Sequence, residues 1–190
     1  MTTFETQARQ SLARLVEHVF AHRDGLIAGI TYEDLAFRIG RLNKHGVGHA
    51  HGMGDVLATM GHLLKGLDGE WGEGIPHIQS LVVQKTGKGK NLPADGIEEF
   101  WPDYPKMSRV EKENRTRVEH QRIVDFGSRW NDVLAKLGLP KINVQSAPAN
   151  AAKFFGAGGE SEKHKALKEY VRQHSELVGA ASDWRFFVEY

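Results

Sequence analysis

Three histidines, His45, His49 and His51, fall inside one glycine-rich run, RLNKHGVGHAHGMG, with His62 a short way beyond. Imidazole nitrogens suit zinc or nickel, so His45, His49 and His51 are the candidate metal ligands of the chain. A metal site needs fixed geometry and the intervening glycines work against it; the bland alternative is an exposed neutral loop that donates to phosphate. A second cluster is Lys85, Lys88 and Lys90 in KTGKGKN, where small residues separate cations at the tip of a loop. That pattern suits contact with a phosphate backbone, and charge alone equally suits a solvated turn. The third is KMSRVEKENRTRVEHQR, in which Lys106, Arg109, Lys112, Arg115, Arg117 and Arg122 alternate with Glu111, Glu113 and Glu119. A mixed-sign helix is ordinarily a solubilising face laced with pairs one turn apart; its alternative is a second phosphate-contacting surface beside the lysine loop. His77, His120 and His174 read as isolated surface or packing residues.

The elements that must position these groups follow from apolar spacing. Ala8, Leu12, Leu15, Val16, Val19 and Phe20 recur at threes and fours, which predicts an amphipathic helix ending near Asp24-Gly25. Thr31 with Asp34 offers an N-cap, so a short helix runs to about Gly40. Glycine makes most of 41–54 a loop, at roughly 1 kcal/mol per interior Gly relative to Ala. A third helix is expected over 53–67, then a strand over 77–84 in HIQSLVVQ, leading into the basic loop. Two prolines make WPDYP a rigid connector. Ser108 and Glu111 form a capping-box pattern, and one long helix is expected from there to Leu137. The domain expectation is therefore a mostly helical domain over 1–138, a linker over 139–159 rich in Pro, Ala, Asn and Gly, and a helix with one strand over 160–190.

The order helix, capped short helix, glycine-bearing turn, longer helix, strand, basic loop suits a winged helix-turn-helix. Residues 30–97, carrying ITYEDLAFRIG, GMGDVLATMGHLLKG and IPHIQSLVVQKTGKGKNLPADGI, resemble the winged-helix module of the alkylguanine-DNA alkyltransferase and alkyltransferase-like group. The likeness lies in the "TYxxLA" short helix, a helix with small residues, and the order proline, strand, wing. The same order resembles N-terminal modules of some bacterial defence proteins. The alkyltransferase Pro-Cys-His-Arg box is absent, and with no cysteine there is no thiolate to accept an alkyl group. A second resemblance covers 158–190: GGESEKHKALKEYVRQHSELVG followed by RFFVEY is similar to the opening helix and first strand of restriction-endonuclease-like PD-(D/E)xK domains. It implies Glu160 or Glu162 as the helix carboxylate of an incomplete Mg²⁺ site, because the Asp and ExK partners have no counterpart up to Tyr190.

Composition narrows the function. Among 190 residues, 25 Lys and Arg face 24 Asp and Glu, so attraction to phosphate must come from local clustering. No GxxxxGK[ST], GxGxxG, GxSxG or HExxH occurs, which leaves nucleotide-binding, serine-hydrolase and zincin chemistry without their usual anchors. The opening MTTF shows no basic stretch followed by an apolar run, and no eighteen apolar residues stand together, so a soluble cytoplasmic protein is expected, with no membrane partner. The fold class expected is mainly α with a small β component. The function expected is DNA binding by a winged helix that precedes a restriction or phage-defence endonuclease, with distorted or modified duplexes among its targets. Lys85, Lys88 and Lys90 would contact phosphate, Met53 and Thr59 would lie near base edges, and Arg41 and Lys44 would anchor the backbone. No cofactor is expected in this chain, and Mg²⁺ only if a complete nuclease domain follows. The competing reading is a protein-docking module, since fold does not dictate function.

Overall fold

A computed structural model describes residues 3–22, 27–72 and 74–143. The chain divides into two units, Met1–Ala147 and Pro148–Tyr190. The second, which holds Glu160, Glu162 and most of the expected linker, lies outside the described residues.

The first unit is mainly helical. Helix α1 (Thr3–Ala21) forms where the apolar stripe predicts it, and Ala8, Leu12, Leu15, Val16, Val19 and Phe20 are all buried. Strand β1 (Ile30–Thr31) leads into α2 (Tyr32–Arg38). Thr31 makes that transition: its hydroxyl accepts from the Asp34 amide at 3.1 Å and donates to the Asp34 carboxylate at 2.6 Å. Helix α3 (Met53–Lys65) buries Met53, Val56, Leu57, Met60 and Leu64, and α1 packs along it. The polypeptide then returns to the sheet through a 3₁₀ turn over Ile78–Leu81 and strand β2 (Val82–Val83). Strands β1 and β2 are parallel, with Ile30 opposite Val82 and Thr31 opposite Val83, so α2 and α3 form the crossover that parallel pairing requires. Helices α4 (Arg109–Phe126) and α5 (Arg129–Lys136) close the main core with Ile123, Phe126, Trp130, Val133 and Leu134.

Two expectations are corrected. The strand over 77–84 shrinks to Val82–Val83, because Ile78, Gln79, Ser80 and Leu81 are buried as a 3₁₀ turn against α1 and α4. The apolar run reported burial on every side, and a buried segment need not be a strand. The long helix from 108 to 137 is broken at Gly127, whose φ of 57° with ψ of −132° only glycine adopts cheaply, so the chain turns there and α5 packs as a separate helix. Its start is as expected: Ser108 and Glu111 form a complete capping box.

A satellite core lies outside the first. Ile97, Trp101 and Tyr104 are buried together with Phe100 and Met107 packed on them, held by 3₁₀ turns over Asp95–Glu99 and Tyr104–Lys106. It docks on α3 through Gly61, where a Cβ would fall 2.2 Å from the Phe100 ring; only glycine leaves that ring its place. Helix α4 covers the other side, with Lys112 over the Tyr104 ring and Arg115 over Trp101. Glu119, 2 % exposed, ties α4 to the segment before β2: its carboxylate accepts from the His77 amide at 2.6 Å and from Arg122 at 2.8 Å. Among the described residues no helix is long and apolar enough to cross a membrane.

Candidate nucleic-acid interface

The basic loop is a closed turn of the backbone. Gln84 donates its amide to the Leu92 carbonyl and accepts at its own carbonyl from Asn91, both at 2.9 Å, so residues 85–90 project between fixed ends. After the loop the chain enters a 3₁₀ turn, and among the described residues no third strand returns beside β2. Lys88 and Lys90 are exposed and form no ion pair among the described residues; Lys85 pairs with Glu33 at 3.0 Å. That hydrogen bond, with the adjacent carboxylate charge, raises the Lys85 pKa, so it stays a cation at any physiological pH.

Helix α4 lies against this loop. Arg109 donates to the Lys88 carbonyl at 3.1 Å and to Glu113 at 2.8 Å, fixing its guanidinium beside the loop tip. Lys112 pairs with Asp95 at 2.8 Å. Arg117 is exposed, forms no ion pair among the described residues, and lines a groove of about 610 Å³ together with Asn91 and Leu92 of the loop. The two basic segments, separate in sequence, thus make one surface. Lys88, Arg109 and Lys112 stand together there with Asp95, and Glu113 and Arg117 continue along α4 to line the groove beside Asn91 and Leu92. The expected pairing one turn apart is present as Arg109–Glu113, while Arg117 is exposed and forms no ion pair among the described residues.

The groove beside α3 has the opposite character. A groove of about 870 Å³ separates α3 from the first residues of the loop, and Glu33, Asp55 and Glu99 line it together with Lys85. Glu99 accepts a hydrogen bond from His62 at 2.7 Å. A phosphate backbone laid along this end of α3 would face those carboxylates.

Each remaining candidate residue has a definite place. Met53 is 0 % exposed, packed in the core, and presents no atom for a base edge; that expectation is corrected. Thr59 is half-buried on α3 and donates its hydroxyl to the Asp55 carbonyl at 2.8 Å. Arg41 is a strut: it donates to Gln7 and to the His51 carbonyl, each at 2.7 Å, and so holds the glycine-rich loop against α1. Lys44 is exposed on the turn that Asn43 closes by accepting from the His45 and Val47 amides. His45, His49 and His51 are exposed, and the rings of His49 and His51 are 6.0 Å apart. Among the described residues no group of three or more His, Asp or Glu side chains is gathered closely enough to hold a metal ion.

Sequence reasoning missed Gln79. It is 5 % exposed, and neither its carboxamide oxygen nor its nitrogen has a hydrogen-bond partner. The available signal was a lone amide inside the apolar stretch IQSLVV.

Compared with models of known families, with curated proteins and with solved structures, the chain matches none. The likenesses to a winged-helix module and to a nuclease front rest on the sequence motifs quoted above.

Proposed function

We infer that this protein binds DNA through the loop at 84–92 and the N-terminal half of α4. One observation carries the reading: Arg109 bonds to the backbone of Lys88, which merges a basic loop and a basic helix into one surface. Free cations on a preformed surface gain affinity for a phosphate backbone by releasing its condensed counterions. Fixing Arg109 in advance removes part of the rotamer entropy that a long side chain loses on binding. Such contacts position a protein on a duplex without reading its sequence.

A winged-helix assignment is supported by the order α1, β1, α2, α3, β2 and basic loop. The acidic lining beside α3 shifts the contact surface away from that helix and toward α4, unlike an arrangement in which the third helix enters the major groove. The extension to an effector beginning near residue 160, with Glu160 or Glu162 as part of a Mg²⁺ site, rests on the sequence resemblance alone.

The test is a duplex-binding titration of the full chain at low salt, with the double variant Lys88→Glu and Lys90→Glu. Binding by the parent and loss of at least about tenfold in the variant are expected, since each substitution both removes a contact and adds repulsion. Equal affinity of variant and parent, or no binding by the parent, overturns the reading.

A further inference from the structure

We propose that the groove between α3 and the 84–86 segment is a second binding site, one that takes a peptide segment bearing an arginine or lysine side chain. The proposal stands apart from the DNA reading, whose contacts are Lys88, Lys90 and the residues of α4, none of which lines this groove.

Two independent features point to such a ligand. The first is charge. Glu33, Asp55 and Glu99 all line the groove; Glu33 shares its charge with Lys85, whereas Asp55 forms no ion pair among the described residues. An organic cation is favoured there and a nucleic-acid strand is rejected. The second is Gln79, which the groove reaches and whose carboxamide is buried with both hydrogen-bonding ends unused. Burying an amide without partners is costly, and native structures retain such a group where something else completes it. A carboxamide presents one donor and one acceptor on one edge, and a residue in an extended segment offers the complementary carbonyl and N–H, one from each of its two flanking peptide units. Once the carboxamide turns toward the groove, the backbone of an extended segment satisfies Gln79 while its cationic side chain reaches Asp55; Glu99, which His62 already engages, adds negative charge nearby. Phe100 and Leu57 supply apolar wall for the aliphatic stem of that side chain, and the Phe100 ring face also favours a cation. At about 870 Å³ the groove accommodates a few residues of chain.

The experiment is an NMR titration of the full chain with three capped tripeptides, alanine-X-alanine with X as arginine, glutamate or norleucine. The arginine peptide is expected to shift the Gln79 side-chain amide resonances saturably, the glutamate peptide to leave them in place, and norleucine to act weakly. Gln79→Leu is expected to weaken binding of the arginine peptide by about tenfold, the equivalent of two lost hydrogen bonds. The same change should raise the melting temperature, because it removes an unsatisfied buried amide. Asp55→Asn, an exposed change that leaves folding intact, is expected to weaken binding about two- to fivefold and to flatten its salt dependence. Gln79 resonances that ignore the arginine peptide, respond equally to glutamate, or move instead with a short DNA duplex overturn the proposal. So does unchanged affinity in both variants.

Discussion

Acid should destabilise this fold through His18, and the size of the effect can be worked out. His18 is 2 % exposed, on the core side of α1, and its Nε2 lies 2.7 Å from the Ala28 carbonyl. Burial pulls its pKa from 6.5 down to about 4; the contact with the Ala28 carbonyl acts the other way, and the neighbouring His22, Arg38 and His120 add to the depression. In the unfolded chain the imidazole regains its ordinary value. The folded value is the lower one, so the stabilisation is fully present above about pH 6.5. As the pH falls, the unfolded state takes up the proton first, and the stabilisation drains away until about pH 4. Between pH 7 and pH 5 that linkage removes about 2 kcal/mol, and about 3 kcal/mol by the time folded His18 itself protonates. His77 and His120 are also held low by burial and act in the same direction, so the whole protein should lose more than His18 alone accounts for. Urea unfolding at pH 7 and pH 5, for the parent and for His18→Gln, isolates the contribution. Glutamine keeps a donor for Ala28 and cannot titrate, so the variant should lose about 2 kcal/mol less than the parent over that interval. An identical loss in both proteins would refute the reasoning.

Further outcomes follow from single contacts. Gly48→Ala should cost about 1–3 kcal/mol in chemical denaturation, since a Cβ there would fall 1.9 Å from the Glu33 carbonyl oxygen, a backbone atom that cannot step aside. A melting temperature equal to the parent's would contradict that close approach. Ser108→Ala should cost about 1 kcal/mol by removing the hydroxyl that accepts from the Glu111 amide, measured by the same denaturation. Trp130→Ala should cost about 3–5 kcal/mol, because its ring fills the core between α4 and α5 and its Nε1 donates to the Ile123 carbonyl at 2.9 Å. A loss under 1 kcal/mol would place that ring outside the core.

What the sequence revealed was local. The α1 stripe, the Thr31 cap and the Ser108–Glu111 box each depend on residues within a turn or two of one another, and each forms as the spacing predicts. What it concealed depended on distant neighbours. Residues 78–81 are β-prone, but α1 and α4 both pack on them, and the turn they adopt is set by those helices. Met53 opens α3 in a glycine-rich setting that suggests a surface, and the packing of α1 against α3 buries it. The lysine loop was legible as basic and the start of α4 as mixed in sign. Their union was not, because it turns on one hydrogen bond spanning residues 88 and 109. The acidic groove was equally hidden, since Glu33, Asp55 and Glu99 come from three separate segments.

The salt dependence of duplex binding bears most directly on the merged basic surface. If Lys88, Lys90, Arg109 and Arg117 each neutralise one phosphate, the logarithm of the association constant should fall with the logarithm of salt concentration at a slope of about −3.6. Replacing Arg117 by glutamine should reduce the steepness by about 0.9 while leaving the fold intact. A slope near zero, or an unchanged slope in Arg117→Gln together with unchanged affinity, would contradict a duplex lying across the loop and α4.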